Sequence, residues 1–409
     1  MASPYQKLIN ELKDTENFVK EVTLGRRIGY YTLGQILGKG AFAEVKLGNH
    51  LLMNEKVAVK ITEKGKHGCG KTLEIMRQEI GAMEKLDHPN ITSLYEEIET
   101  LDKFYCILEY VDGGTLQDYV KGKSRSGVCT ITEHTARFFF IQILDAVNHM
   151  HRCGVFHRDL KTENILMDKD KTIRVADFGI STCERGLITQ HCGSPAYCPP
   201  EIFKKIPYLA APMDVWALGC ILYELGAGDM PFRAPTKQEM TDKILQVDYV
   251  IPENFSDNLK DLVQKIIVGD TKDRLTLKEI RGHPWLAGAE NSTDFSPDPT
   301  LYAGEVRDKL MDVGIPEDLI SKAMERVRSK AEPKDPVHGT YKIALHGIHV
   351  DALHKQVNDM GKRFSLVTSD LLPQPMLQSR RPSSLPDFDS AHDSFSEGRG
   401  GKKKCCSVM

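Results

Sequence analysis

The sequence predicts an α+β protein of two lobes, a small β-rich lobe followed by a larger helical lobe. Residues 31–107 alternate short strand-like apolar runs with a single helical segment. From residue 114 to residue 286 the pattern is instead mostly helical. The chain has 409 residues, more than one ordinary hydrophobic core organises, so an appendage beyond the two lobes is also expected.

Two polar motifs lie close together near the middle of the chain. Residues 157–164 read HRDLKTEN, and residues 177–179 read DFG. A carboxylate can orient a hydroxyl group and accept its proton, and carboxylate and amide oxygens are ligands that magnesium prefers. In this order and at this separation, the motifs resemble the catalytic loop and the metal-binding loop of protein kinases. The alternative is a chance HRD beside an unrelated turn, which the matches on both sides disfavour.

The resemblance implies a two-lobed protein kinase fold and a role for each polar residue of these motifs. Asp159 would be the catalytic base, and Lys161 would place positive charge beside the transferred phosphoryl group. Asn164 and Asp177 would hold the Mg²⁺ ions that bridge the phosphates of ATP. Because tyrosine kinases usually differ around the position of Lys161, this loop also favours serine and threonine as acceptors.

A glycine-rich turn between two predicted strands precedes these motifs. Glycine lets the backbone approach phosphate oxygens closely, so that N–H groups point at them. Such a turn is a weak signal alone, but here it has the position that protein kinases give to their phosphate loop. Ala43 replaces the usual third glycine and is small enough to leave room for the nucleotide. The candidate nucleotide-binding residues of this turn are Leu37, Gly38, Lys39, Gly40, Ala41, Phe42, Ala43, Glu44 and Val45.

Lys60 follows the apolar strand-like run of residues 57–59. It has the position of the kinase lysine that binds the α- and β-phosphates of ATP. Glu79, in the helical segment that follows, is its expected ion-pair partner. An exposed helix carboxylate is the alternative interpretation, but Glu79 lies one helical turn before the apolar Met83 and therefore on the same face.

The segment that joins the two lobes is predicted at residues 108–114, LEYVDGG. By resemblance, the backbone of Glu109 and Val111 would contact the adenine edge of the nucleotide. Further matches follow in the activation segment and in the helices of the larger lobe. The similarity to protein kinases therefore extends over residues 31–286.

Residues 188–201 resemble the activation segment of the calcium/calmodulin-kinase-like group, and within it the AMP-activated-kinase-related branch. Glu201, near the end of this segment, has Arg274 as its expected buried partner. Residues 339–346, GTYKIALH, and the last four residues are similar to the NIM-one subgroup of that branch. This resemblance implies a serine/threonine kinase.

The activation segment departs from that branch at its phosphorylation site. An upstream kinase typically phosphorylates a threonine two residues before the cysteine of the CGSP motif, and Gln190 occupies that position. Thr189 is one residue earlier, where the guanidinium of Arg158 could bind its phosphate. We expect either a displaced site at Thr189, with an upstream activating kinase as a partner, or an activation segment that is ordered without phosphate.

Substrate choice is a second departure. Kinases that prefer arginine before the target residue often use two carboxylates, one just after the Gly-Gly of the hinge and one in the catalytic loop. Glu163 supplies the second carboxylate, whereas Thr115 occupies the first position. We therefore expect protein substrates with a weakened requirement for basic residues.

Other segments flank the region of residues 31–286. Residues 1–30 form an N-terminal extension with a short amphipathic pattern, and residues 287–303 form a polar linker. Residues 304–348 resemble the ubiquitin-associated-type three-helix module of AMP-activated-kinase-related enzymes. An ordinary helical extension of the larger lobe is the alternative. Residues 349–409 are rich in Ser, Pro, Asp and Arg, and a disordered tail is expected there.

The last residues of the sequence resemble a lipidation signal. Residues 406–409, CSVM, match the C-a-a-X pattern, in which a terminal methionine favours farnesyl on Cys406. Because one lipid chain gives only marginal membrane binding, the lysines at 402–404 and a palmitoyl group on Cys405 would supply a second signal. The alternative is a solvated charged tail with unmodified thiols.

Composition narrows the partners and the compartment. The formal net charge of −3 argues against a general nucleic-acid-binding protein. The ten cysteines show no paired C-x-x-C spacing, so reduced thiols in the cytosol fit better than a zinc site or a disulfide framework. The N-terminus lacks the apolar core of a signal peptide, and no apolar run is long enough to span a bilayer. The predicted location is the cytoplasm, peripherally at the cytoplasmic face of a membrane.

Together these patterns predict a serine/threonine protein kinase that uses ATP and Mg²⁺ to phosphorylate protein substrates. A membrane-tethered pseudokinase scaffold is the alternative, which three departures favour: the displaced threonine, Ala43, and Pro199 in place of the alanine of the kinase Ala-Pro-Glu motif. Against it, every polar group that phosphoryl transfer requires is present, whereas pseudokinases usually lack at least one.

Overall fold

Two helices precede a small lobe that is built mainly from strands. The computed structural model of the chain describes residues 2–40, 43–64, 69–125, 128–129, 131–287, 301–329 and 335–369. The first elements are α1 (Pro4–Lys13), α2 (Thr15–Thr23), β1 (Arg27–Ile28), β2 (Tyr31–Lys39), β3 (Ala43–His50), β4 (Lys56–Glu63), α3 (Cys69–Met83), β5 (Leu94–Glu99) and β6 (Lys103–Glu109).

The small lobe is a six-stranded antiparallel sheet in the order β1-β2-β3-β4-β6-β5. Side chains alternate between the two faces of a strand, and β4 has apolar side chains on both faces. Val57 and Val59 are buried on the outer face of the sheet. Ala58 packs on the opposite face, against the core shared with the large lobe. Lys60, two residues further on, shares the face of Ala58.

The large lobe is mostly helical, with short strands around the catalytic loop. Its elements are α4 (Leu116–Lys123), β7 (Ser124–Arg125), β8 (Val128–Cys129), α5 (Glu133–Arg152), β9 (Ile165–Met167), β10 (Ile173–Val175), α6 (Pro200–Phe203), α7 (Ala210–Ala227), α8 (Lys237–Gln246), α9 (Asp257–Ile266) and α10 (Leu277–Arg281). This arrangement confirms the two-lobed α+β class that the sequence predicts.

Helix α7 forms the centre of the large lobe and is buried over most of its length. Gly219 is at its closest approach to α9, where a Cβ atom would lie 2.7 Å from the Cγ2 atom of Ile266. Only glycine permits this spacing. The helix ends at Gly228, whose φ of 74° is a left-handed conformation that glycine adopts without strain.

A C-terminal module of three helices packs on the outer face of the small lobe. These helices are α11 (Ala303–Asp312), α12 (Glu317–Ser329) and α13 (Pro336–Ser369). Val306, Leu310 and Ile320 share one core with Leu8 of α1 and with outer-face residues of the sheet, including Val57. The module is therefore not an extension of the large lobe, which was the alternative interpretation. Within the described residues, no helix is long and apolar enough to cross a bilayer.

The end of the module differs from the sequence-based boundary. The prediction ended the module at residue 348 and placed residues 349–369 in a disordered tail, whereas α13 continues as a helix to Ser369. Composition was a poor guide there, because a helix that is anchored by a buried first half can continue with few apolar residues.

His50 forms a polar contact between the small lobe and the module. The N–H of Met53 donates to its Nδ1 atom at 3.1 Å, so Nδ1 carries no proton. The Nε2–H group then donates to Thr340 Oγ1 at 3.0 Å, and Thr340 donates to the carbonyl of Pro336. Burial lowers the pKa of His50 to about 3, so the ring stays neutral in the folded protein.

This buried neutral histidine predicts an acid-sensitive contact. Between pH 6.5 and pH 3 the unfolded chain binds a proton at His50 that the folded chain does not, so acidification favours unfolding. Between pH 8 and pH 5 we expect the wild type to lose about 2 kcal/mol more unfolding free energy than His50→Gln. Urea unfolding across this range measures the difference, in which the other titrating groups cancel. Parallel pH profiles would contradict the prediction.

Candidate active site

Lys60 lies between two carboxylates at the junction of the lobes. Its Nζ atom is 2.5 Å from Glu79 Oε1 on α3 and 3.4 Å from Asp177 Oδ1. Burial opposes the charge on Lys60, but the two carboxylates outweigh it and raise the pKa of the ammonium group. Burial likewise would raise the pKa of Asp177, yet Lys60 lowers it. Lys60 and Asp177 are therefore placed to act in their ionised forms.

Asp177 and Asn164 are the candidate metal ligands. Asp177 has a φ of 62°, an uncommon conformation for a residue other than glycine. The amide nitrogen of Asn164 donates to the backbone oxygen of Asp159 at 2.9 Å and to its carboxylate at 3.2 Å. This orientation leaves the amide oxygen of Asn164 as its coordinating atom. A carboxylate and an amide oxygen form a hard donor set that fits Mg²⁺.

The carboxylate of Asp159 is held by three neighbours. Besides Asn164, Lys161 Nζ lies 2.7 Å from its Oδ2 atom, and the backbone N–H of Ser194 donates to Oδ1 at 2.8 Å. The Ser194 hydroxyl in turn accepts from Lys161 Nζ at 2.9 Å. The candidate base and its neighbouring lysine are thus tied to the activation segment. Sequence reasoning did not give Ser194 this role, although the CGSP motif contains it.

Asp214, on α7, supports the catalytic loop from behind. Its carboxylate accepts the backbone N–H groups of His157 and Arg158 at 2.9 and 2.8 Å. His157 Nδ1 accepts the N–H of Asp159 at 3.2 Å, so its Nε2–H donates to the carbonyl of Ala176, one residue before Asp177. The two polar motifs are therefore connected through one imidazole.

Two paired strands flank the glycine-rich turn. Gly38 pairs with Val45, and Lys39 pairs with Glu44, in neighbouring strands β2 and β3. The N–H of Gly40 donates to the carbonyl of Ala43 at 2.8 Å. Leu37 is also part of β2. Ala41 and Phe42, which were predicted nucleotide-binding residues, lie outside the described residues.

The segment between the lobes begins at the last residue of β6. Val111 is half-buried in this segment, whereas the side chain of Glu109 is buried. The Glu109 carboxylate lies 2.8 Å from Arg174 Nε and 3.1 Å from His346 Nε2. Sequence reasoning considered only the backbone of Glu109 and found neither partner.

The activation segment is pinned on both sides of Thr189. Ile188 and Tyr208 exchange backbone hydrogen bonds of 2.8 and 3.0 Å, and the Tyr208 hydroxyl donates to the carbonyl of Gln190 at 2.9 Å. Thr189 itself is exposed. Arg158, its predicted phosphate partner, is buried and donates from Nε to the carbonyl of Ile180.

Two positions that were assigned to substrate choice have different surroundings. Thr115 is buried and caps α4, and it exchanges hydrogen bonds with Asp118. Glu163 follows Thr162, whose hydroxyl lies 3.0 Å from a carboxylate oxygen of Glu224. Burial raises the pKa of Glu224 to about 7, and the charge of Glu163 adds to this rise.

Cys405 and Cys406, the predicted lipidation sites, lie outside the described residues.

Comparison with known proteins agrees with this geometry. The protein kinase domain family matches residues 31–286. Maternal embryonic leucine zipper kinase of Xenopus laevis is 40% identical over 261 residues, which cover 63% of this chain and 39% of that protein. The SNF-related serine/threonine-protein kinase of Homo sapiens is 40% identical over 271 residues, covering 66% of this chain and 35% of the relative. CBL-interacting protein kinase 11 of Oryza sativa subsp. japonica is 37% identical over 268 residues, covering 64% and 52%.

These relatives belong to the AMP-activated-kinase-related group, as the activation segment predicts. The chain spans only about a quarter to a half of the length of the curated relatives it matches. The narrower resemblance to the NIM-one subgroup stays a prediction. Since the family match covers more than half of its length, the chain belongs to the protein kinase family.

Proposed function

We propose that the chain is a serine/threonine protein kinase that transfers the γ-phosphoryl group of ATP to protein hydroxyl groups with the help of Mg²⁺. The observation that carries this proposal is the joint placement of Lys60, Glu79 and Asp177. The ion pair between Lys60 and Glu79 is closed, and Asp177 lies on the same ammonium group. Protein kinases need this lysine–glutamate pair closed, and the aspartate of the metal-binding loop in place to hold Mg²⁺, for phosphoryl transfer.

The remaining polar residues fit the same reaction. Bound Mg²⁺ would neutralise the charge that develops on the phosphate oxygens. Asp159 would orient the acceptor hydroxyl and accept its proton, because its carboxylate is fixed by Lys161 and by the N–H of Ser194. Lys161 would add positive charge beside the transferred group. These fixed contacts disfavour the scaffold alternative, since a pseudokinase has no need of them.

For substrate choice, the proposal keeps a weakened requirement for arginine upstream of the target. Thr115 is engaged as a helix cap, and the carboxylate of Asp118 beside it is bonded back to the Thr115 N–H and hydroxyl. The Thr115 position itself therefore offers no carboxylate to a basic substrate, and one oxygen of Asp118 is engaged in the helix cap. Glu163 remains as a carboxylate of the catalytic loop, so the preference is reduced rather than lost.

For activation, we propose that the segment around Thr189 is ordered without a phosphate. The contacts of Tyr208 with Ile188 and Gln190, and those of Ser194 with the catalytic loop, are all made by unmodified residues. An upstream activating kinase that acts on Thr189 is the competing possibility.

Replacing Asp177 tests the proposed reaction. Asp177→Ala removes a metal ligand and an anion beside Lys60, so phosphoryl transfer from magnesium-ATP to a degenerate peptide library should fall by about 10²–10³-fold or more. Asp257→Ala, an exposed aspartate on α9, is the matched control and should behave as wild type. Transfer by Asp177→Ala within a few-fold of wild type would refute the assignment. An inactive wild type that still binds nucleotide would support either the scaffold or a missing upstream kinase.

Phosphate-independent order predicts the behaviour of Thr189→Ala. After phosphatase treatment, wild type and Thr189→Ala should share the same kcat, because neither needs a modified threonine. Tyr208→Phe should lower kcat severalfold, since it removes the hydroxyl that holds the Gln190 carbonyl. Loss of wild-type activity on phosphatase treatment, together with an inactive Thr189→Ala, would instead establish Thr189 as the switch.

We also propose that Cys406 is farnesylated and that the protein is peripheral at the cytoplasmic face of a membrane. The chain should be expressed in eukaryotic cells with Met409 as its free carboxyl terminus. Cys406→Ser should lose the farnesyl mass and move to the soluble fraction, because the neighbouring lysines alone bind anionic lipid weakly. Cys405→Ser should keep the farnesyl group but bind membranes less tightly. Unchanged fractionation of Cys406→Ser would rule out this anchor.

A further inference from the structure

The C-terminal module contacts the small lobe through polar groups near the start of β5. Lys342 Nζ on α13 donates to the backbone carbonyl of Leu94. The ring of His346, one helical turn later, packs edge-on against Tyr95 with 5.6 Å between ring centroids. His346 Nδ1 lies 3.2 Å from the hydroxyl of Ser93. These contacts fix the imidazole beside the segment that joins the two lobes.

The other ring nitrogen of His346 reaches a buried carboxylate. Its Nε2 atom is 3.1 Å from Glu109 Oε1, and Arg174 Nε donates to the same oxygen at 2.8 Å. The backbone N–H of Ser93 donates to the second oxygen at 3.2 Å. When the Ser93 hydroxyl donates to Nδ1, Nε2 carries the ring proton and is available as a donor to Glu109.

Glu109 thereby joins three parts of the molecule. It is the last residue of β6, where the backbone enters the segment that is proposed to meet adenine. Arg174 belongs to β10 of the large lobe, three residues before Asp177, and only 2% of its side chain is exposed. His346 belongs to the module. One carboxylate therefore couples the module to the hinge and to the strand that leads to the metal loop.

Because the Glu109 carboxylate is both charged and buried, its position depends on each of its hydrogen-bond partners. Burial alone would raise the pKa of Glu109, but Arg174 and His346 lower it to about 2, so it is ionised at neutral pH. A buried ion stays in place only while its hydrogen bonds compensate for lost water. Hydrogen bonds to ionised groups are also roughly twice as strong as those between neutral groups. Without His346, Glu109 Oε1 would retain its hydrogen bond from Arg174 but lose the one from the module. The carboxylate would then be held less firmly on the side of the module.

We propose that His346 is a positioning residue for the nucleotide site, which acts by holding the Glu109 carboxylate and with it the backbone that meets adenine. The inference rests on the proposed kinase function of that site. It assigns the docked module a supporting role in nucleotide binding rather than an inhibitory one.

His346→Phe tests this role, because phenylalanine keeps the ring contact with Tyr95 and removes both nitrogens. We expect the Kd of magnesium-AMP-PNP and the KM for ATP to rise about tenfold, which corresponds to about 1.4 kcal/mol. The kcat at saturating ATP and the KM for a peptide substrate should stay unchanged. His346→Gln, whose amide N–H can take the place of Nε2–H, should recover most of the affinity.

Thr340→Val is the matched control, since it removes a polar contact of the same helix with His50 and leaves Glu109 untouched. It should lower the melting temperature without changing the Kd of magnesium-AMP-PNP. An unchanged Kd of magnesium-AMP-PNP in His346→Phe would overturn the proposal. An equal rise of this Kd in Thr340→Val would also overturn it, because any weakening of the contact between the module and the small lobe would then have the same effect. Because binding is measured without catalysis, a wild type that binds nucleotide but transfers no phosphate would contradict the proposed function alone.

Discussion

The catalytic loop depends on the buried carboxylate of Asp214. By accepting the N–H groups of His157 and Arg158, it holds a backbone in which Arg158 has a φ of 65°. Such a conformation costs a residue other than glycine about 1–3 kcal/mol and persists only where the surroundings enforce it. The position of Asp159 follows from that backbone, and the bond from Ser194 then connects it to the activation segment. The whole reactive centre is therefore anchored on the central helix of the large lobe.

Like Asp214, other buried carboxylates of the large lobe lose their hydration, and two kinds of partner compensate for this loss. Glu201 meets Arg274 through two hydrogen bonds of 3.1 and 3.3 Å, so an opposite charge compensates for the lost water. Glu224 instead accepts the hydroxyl of Tyr197 at 2.7 Å and that of Thr162. Because these two partners are uncharged hydroxyl groups, burial raises the pKa of Glu224 to about 7. The first type fixes the end of the activation segment, while the second costs an increasing amount of stability as the pH rises from 4.5 to about 7.

The parts of the site that could be predicted are those whose chemistry is local in sequence. HRDLKTEN and DFG contain their ligands within a few residues, and helical periodicity was enough to choose Glu79 as the partner of Lys60. The contacts of Glu109 could not be found in this way, because Arg174 is 65 residues away from it and His346 lies in another module. Contacts between residues so far apart in the chain leave no periodic pattern in the sequence. The helix beyond residue 348 was missed for a related reason, since its first half is held by tertiary contacts that composition does not reveal.

The position of the module follows from the sheet it covers. A strand that is apolar on both faces needs cover on both sides. In β4 and β6 one face belongs to the core shared with the large lobe, while the other carries Val57, Val59, Tyr105 and Ile107. Burial of each such side chain contributes about 1.5–3 kcal/mol, so the small lobe without α1 and the module would expose a large apolar surface. The module is thus part of the core of the small lobe, and any partner that binds its inner surface must compete with that burial.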